Sequence, residues 1–204
     1  MKLDFECDSN DTAYTIINDT VRGTLNMADT NVLLEHYTKL PQGSRYIETG
    51  SYLGCSAILC GLSSKRNTFV YCHDLWEENM ANLSIDGGPP PMVENYFYKF
   101  YDNVRSQGLE GVIVPVRGDS SYTLGIHEDS SIDLAFIDGD HSFDGVMKDL
   151  NAVFKKMKKN SFILCHDVHP DNEVYNAIIK FCENNNITEL DGFKNSSIAR
   201  IHIN

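Results

Sequence analysis

The sequence predicts an α/β fold: a mostly parallel sheet with helices on both faces. Three observations carry this. Short apolar runs of strand length alternate with stretches of helical periodicity, the pattern of βαβ units. The run Leu134-Ala-Phe-Ile-Asp138-Gly-Asp140-His141 empties into two carboxylates and an imidazole within four residues. A second run, Phe162-Ile-Leu-Cys165, ends in His166-Asp167. Strands buried on both faces read as unbroken apolar runs, and their carboxyl ends form the crevice in which such sheets bind ligands.

The elements follow in order. Thr12 to Leu40 has helical periodicity in two pieces broken near Gly23, closed by Pro41-Gln-Gly43. Residues 1–43 are therefore expected to form a helical lead-in or cap, and 44–204 the main part of one globular unit. The first strand is Arg45 to Glu48. A turn from Gly50 to Gly54 leads into a helix over Ser56 to Leu62, and the second strand is Thr68 to His73. From Trp76 to Met92 the chain contains Gly87-Gly88-Pro89-Pro90-Pro91, which no regular element survives. A loop of that length in a compact domain is expected to be a lid, a binding loop or disordered.

Met92 to Arg105 reads as a helix whose aromatic stripe, Tyr96, Phe97, Phe100 and Tyr101, packs into the core. The third strand, Val112 to Val116, contains Pro115, which demotes it towards a sheet edge or an irregular strand. Ile132 to Ile137 is the fourth strand. The helix from Ser142 repeats Phe143, Val146, Leu150 and Val153 at helical spacing. Lys155, Lys156, Lys158 and Lys159 read as its solvated end, where lysines complement the macrodipole. Ser161 to Cys165 is the fifth strand, Glu173 to Asn184 a helix, and Ile187-Leu190 and Ile198-Ile203 the last strands.

The 204 residues suffice for one sizeable core. With 29 acidic against 17 basic residues the net charge is -12, so the basic footprint of a nucleic-acid binder is missing. No apolar stretch approaches the roughly 20 residues that span a bilayer. A soluble, cytoplasmic protein without nucleic-acid or membrane partners is expected; homo-oligomerisation stays open. The cysteines (Cys7, Cys55, Cys60, Cys72, Cys165, Cys182) form no C-x-x-C pair and read as free thiols in a reducing compartment.

The first crossover, Glu48-Thr-Gly50-Ser-Tyr-Leu-Gly54-Cys-Ser56, has the makings of a cofactor site. Gly50 permits a sharp turn, and Gly54 is expected to let backbone approach a ligand. The spacing is Gly-x-x-x-Gly, unlike the G-x-G-x-x-G that accommodates a pyrophosphate. Glu48 would repel a pyrophosphate but suits a cationic ammonium or sulfonium group. Asp74, closing the second strand, stands where an acid accepts ribose hydroxyls. Gly118-Asp119-Ser120 follows the third strand and can reach an adenine amino group.

These stretches, with Asp74-Leu75-Trp76 and Ile137-Asp138-Gly-Asp140-His141 followed by Asp149-Leu150, resemble class I S-adenosylmethionine-dependent methyltransferases. The nearest group looks like the family 24 type, related to sugar, macrolide and catechol O-methyltransferases. The resemblance covers Tyr46 to Asp167. It implies a Rossmann-like, doubly wound, seven-stranded sheet whose last strand alone is antiparallel. It implies S-adenosyl-L-methionine as donor and a small hydroxylated acceptor, a sugar or natural product. Glu48, Gly50, Ser51, Gly54 and Ser56 would line its methionine end. Asp74, Leu75 and Trp76 would hold the ribose, Gly118, Asp119 and Ser120 the adenine, and Asp138 and His141 would border the reacting end.

In metal-dependent relatives a divalent cation sits at these strand tips, and the matching positions are Asp138, His166 and Asp167. His166 stands where the magnesium-associated relatives place a carboxylate, and imidazole suits transition metals better. Either the cation is manganese, iron or zinc, or His166 is no ligand, or there is no metal. His141 and Asp140 are both candidates for the base that takes the acceptor's proton. Asp149 is expected to be a solvated or helix-packing acid; His36, His127, His169 and His202 are expected to lie off the rim. One rival keeps the fold: a catalytically inactive nucleoside-binding domain acting through a partner. Another, a hydrolase or oxygenase using Asp138, His166 and Asp167, leaves Glu48, Asp74 and Asp119 without a task.

Overall fold

The computed structural model describes residues 21, 25–63, 68–76 and 95–204. Most of the first expected helical piece and the expected lid beyond Trp76 lie outside them. In chain order the elements are α1 (Met27–Thr38), β1 (Arg45–Thr49), α2 (Cys55–Ser63), β2 (Phe69–Asp74), α3 (Tyr96–Ser106) and β3 (Ile113–Arg117). Then come α4 (Ser120–Thr123), a 3-10 turn (Leu124–Ile126), β4 (Ile132–Ile137), α5 (Phe143–Phe154), β5 (Met157–Cys165), α6 (Glu173–Asn185), β6 (Leu190–Gly192) and β7 (Ala199–Ile203).

The seven strands form one sheet in the order β3-β2-β1-β4-β5-β7-β6. Strands β1 to β5 pair in parallel. β7 is antiparallel to both β5 and β6, so it alone runs against the rest. The chain winds outward from β1 to β3, then returns to place β4 on the other side of β1. That reversal opens a crevice at the carboxyl ends of β1 and β4, the expected ligand position in an open α/β sheet.

Period-two alternation divides the core between the faces. Tyr46, Leu134, Phe136 and Leu164 join Leu33, Ile58 and Phe100 on the side of α1, α2 and α3. Ile47, Ala135, Ile137, Ile163 and Cys165 join Val146, Leu150 and Phe181 on the side of α5 and α6. Pro115 lies on β3, which pairs only with β2, so its missing N–H faces no partner strand. Asn26 caps α1, accepting from Asp29 N at 2.9 Å while the Asp29 carboxylate accepts Asn26 N at 3.3 Å. Ser142 caps α5 through Gly145 N.

Two expectations shift. Only the start of the lysine cluster is a helix end: α5 stops at Phe154 with Lys155 as its C-cap, and Met157 already pairs with Ile132 in β5. Met157 turns inward while Lys158 reaches Asp133 at 2.8 Å, strand alternation that outweighs the run of charge. The sixth strand starts at Leu190, not Ile187, because Asn186 takes the left-handed conformation that ends α6 and Ile187 N closes onto Cys182 O. Of the aromatic stripe on α3, Tyr96 and Phe100 are buried but Tyr101 is exposed. Cys55, Cys60, Cys72, Cys165 and Cys182 are free and buried.

Candidate active site at the carboxyl ends of the strands

The turn after β1 is locked between its neighbours. Gly50 has φ +79°, its N–H donates to His73 O at 2.9 Å, and a Cβ there would lie 1.9 Å from Asp138 O. The turn therefore packs directly on the β4 tip, and glycine is required. At Gly54, φ +89°, a Cβ would press on the Phe100 ring at 3.0 Å, so its bareness also serves the seating of α3. Glu48 is 1% exposed and accepts from Tyr46 Oη at 3.0 Å and the Cys72 thiol at 3.5 Å. Burial pushes its carboxyl pKa up, against the nearby hydroxyls of Ser51, Ser56 and Tyr46. Ser51 Oγ lies beside this carboxylate, yet it makes no hydrogen bond of good geometry among the described residues.

Asp74 ties the β2 tip to that turn. One carboxylate oxygen accepts Tyr52 N at 2.8 Å and the other Trp76 N at 2.7 Å. Burial raises its pKa against these two N–H groups. Trp76 is buried, its Nε1 donates to Tyr52 O at 2.7 Å, and its ring packs on Phe97 and Phe100. It braces the two tips rather than lining open space; Leu75 beside it is exposed. At the β3 tip, Gly118 N donates to Asp74 O, and Asp119 caps α4 through Ser121 N at 2.9 Å. Ser120 Oγ donates to Asp149 Oδ1 at 2.5 Å. Asp149, expected to be solvated or to pack its helix, is buried beneath the loops.

The tips of β4 and β5 form the second half. Parity puts Asp138 and His166 on the α1 side, where Asp29 completes a buried chain. His166 Nδ1 meets Asp138 Oδ1 at 2.9 Å, and Nε2 meets Asp29 Oδ2 at 3.2 Å. Asp29 also accepts Ser196 Oγ and Ser197 N, each at 2.7 Å. Burial opposes the charged form of His166, but its hydrogen bonds to Asp138 and Asp29 outweigh that and push the imidazole up to about 10. Burial likewise opposes ionised Asp29, but the donors around it bring its carboxyl down to about 2. Both ring nitrogens of His166 thus face carboxylates in this structure, Nδ1 towards Asp138 and Nε2 towards Asp29.

His141 leans inward from the start of the next segment. Its Nε2 lies 3.6 Å from Asp138 Oδ1 and 3.4 Å from Asp167 Oδ2, while 53% of the side chain stays exposed. The Asp138 carboxylate, foremost, raises the His141 pKa. Ligand-capable atoms of Asp138, His141 and Asp167 all lie within 4.8 Å of one another. Asp140, the other candidate base, is occupied differently: Oδ1 accepts Ser142 N at 2.9 Å, and its carboxyl group covers Gly145. The carboxyl ends of the adjacent strands β2, β1, β4 and β5 thus carry Asp74, Glu48 with Ser51, Asp138 with His141, and Asp167. His73 and His127 form a separate buried pair at 2.9 Å, and His36 packs against Phe162. Asp29 escaped sequence reasoning; Asn26 and Asp29 show helix-start spacing, but nothing local reveals partners at residues 166, 196 and 197.

A family model described as a methyltransferase domain matches residues 47–168. No curated protein matches the chain. Among solved structures, a protein from Corynebacterium glutamicum superposes with a TM-score of 0.71 at 10% identity, over 97% of this chain and 91% of that one. The O-methyltransferase NovP gives 0.69 at 13% identity, over 88% and 81%. An O-methyltransferase from Bacillus cereus in complex with SAH gives 0.65 at 13% identity, over 97% and 93%. At such identities these likenesses establish the fold.

Proposed function

The chain belongs to this methyltransferase domain family, and we propose that it transfers the methyl group of S-adenosyl-L-methionine to a hydroxyl of a small molecule, a sugar or natural product. The observation that carries this is the convergence of acids at successive strand tips around one glycine turn. When bound, the donor supplies an electrophilic methyl group on a positively charged sulfur. Glu48 sets a negative potential behind the turn, suited to a cation. The buried Ser51 hydroxyl, lacking a well-formed hydrogen bond, and the Gly50 backbone meet the methionine end. Each Asp74 oxygen carries one backbone N–H and keeps a lone pair, enough for two ribose hydroxyls. Gly118, Asp119 and Ser120 border the adenine, with Leu75 offering apolar surface. Gly54, Ser56 and Trp76 hold the turn in place.

A neutral hydroxyl is a poor nucleophile in an in-line displacement. His141 accepts its proton, and Asp138 and Asp167, which face its Nε2, stabilise the imidazolium that results. Asp140 keeps the start of α5 in register for this.

A second reading rests on the same three residues. Asp138, His141 and Asp167 make a mixed nitrogen and oxygen set that fits a divalent transition metal, with His166 as the outer partner that orients Asp138. A cation held there would lower the hydroxyl pKa and occupy His141, excluding it as base.

One experiment tests both. Calorimetry with S-adenosylhomocysteine is expected to show binding, and labelled donor with a panel of hydroxylated acceptors to show turnover that survives chelator. Loss of turnover in chelator, restored by manganese, selects the metal reading. Donor binding with no turnover across the panel favours the nucleoside-binding alternative, and no heat at millimolar ligand overturns the donor assignment.

A further inference from the structure

Asp149 is a buried acid that the mechanism above does not use. It sits on α5, 4% exposed, facing the side of the sheet that also receives Thr49. Its Oδ1 takes the Ser120 hydroxyl proton at 2.5 Å. Its Oδ2 lies 3.1 Å from where a Cβ on Gly139 would stand, and Thr49 Oγ1 lies 3.5 Å from the same point. One carboxylate therefore underlies the tips of β1 and β4 and grips the loop after β3. Burying a carboxylate is costly, and a helix-packing position would be filled more cheaply by an apolar residue.

The consequence is chemical. A serine hydroxyl ordinarily both donates and accepts, and rotates to suit its partner. Ser120 remains partly exposed at the carboxyl edge of the sheet, but its proton is committed to Asp149. Only lone pairs are left for anything bound there.

We propose that Asp149 is a positioning residue for base selection: by holding the Ser120 proton it makes that oxygen an acceptor only. The loop then favours a nucleoside presenting an exocyclic amino group, as adenine does, over one presenting a carbonyl, as hypoxanthine does. This rests on the donor reading above, which places the nucleoside base at Ser120.

The test is calorimetric titration of S-adenosylhomocysteine and S-inosylhomocysteine into wild type, Asp149→Ala, Ser120→Ala and the double variant. Wild type is expected to prefer the adenine nucleoside. Each single variant should cut that preference about tenfold, the worth of one hydrogen bond and its mispairing. The double variant should cut it no further, because the two residues act as one. A purely structural role for Asp149 would weaken both nucleosides equally, leave the ratio unchanged and overturn the proposal. If Asp149→Ala does not fold, Ser120→Ala decides alone: an unchanged ratio there also overturns it. Failure of wild type to bind either nucleoside overturns the donor reading and the proposal together, whereas binding with an unchanged ratio in the variants overturns only the proposal.

Discussion

His166 and Asp138 meet at 2.9 Å across the adjacent tips of β5 and β4, with the imidazole 3% exposed. The pairing fixes the orientation of the Asp138 carboxylate, and burial is outweighed by the two carboxylates in raising the His166 pKa. The arrangement depends on Asp29, which reaches in from α1 and balances the second ring nitrogen. Helix α1 is thereby joined to the tips of β4 and β5 by charge as well as by packing.

Asp29→Ala is expected to be strongly destabilising. It leaves the His166 imidazolium short of one of its two carboxylates and the Ser197 N–H without its acceptor. Breaking a buried ion pair by removing one partner costs about 3 kcal/mol or more. Ser196→Ala, which removes one of several donors to Asp29, should cost about 1 kcal/mol. Urea denaturation of both variants checks the difference; equal, small effects would contradict it.

Gly50→Ala should abolish S-adenosylhomocysteine binding and lower the melting temperature, since the new methyl group would collide with Asp138 O at 1.9 Å. Gly108→Ala is the control. Gly108 also has positive φ, at +69°, but nothing lies within 4 Å of its Cβ position, so only the conformational strain of about 1 kcal/mol remains.

The buried pair of His73 and His127 sets an acid limit. Burial, foremost, holds His73 down to about 3 and His127 down to about 4. In the unfolded chain both protonate near about 6.5. Their contribution is thus fully present above that pH and is lost progressively as pH falls towards 3. Melting temperature is expected to decline steadily from pH 6.5 to 4 in wild type and less in His127→Gln. Parallel profiles would contradict the assignment.

Much of this was legible beforehand. The number of strands and the antiparallel last strand followed from the resemblance, and the Ile132 to Ile137 strand was read to the residue. Pro115 announced its own edge position. Less visible were contacts made by parity and distance. Nothing near Asp29 in sequence points to His166, and Asp149 was read as a solvated or helix-packing acid because its partner Ser120 is remote in sequence. Gly54 and Trp76 were assigned to the ligand on motif alone, and the structure adds that both positions pack against Phe100.

His141→Gln separates chemistry from binding. The side chain is half exposed, so stability should hold, and donor affinity should change little because the turn after β1 is untouched. Turnover should fall about 100-fold or more, the usual worth of a general base. Unchanged turnover would remove His141 from the mechanism.

The most direct measurement is a crystal structure grown with S-adenosylhomocysteine and manganese. The nucleoside is expected to lie across the turn after β1, with its ribose hydroxyls on Asp74 and its sulfur directed towards His141. A ligand bound away from the carboxyl ends of β1 and β4, or a crevice that stays closed to it at saturating concentration, would contradict the central claim.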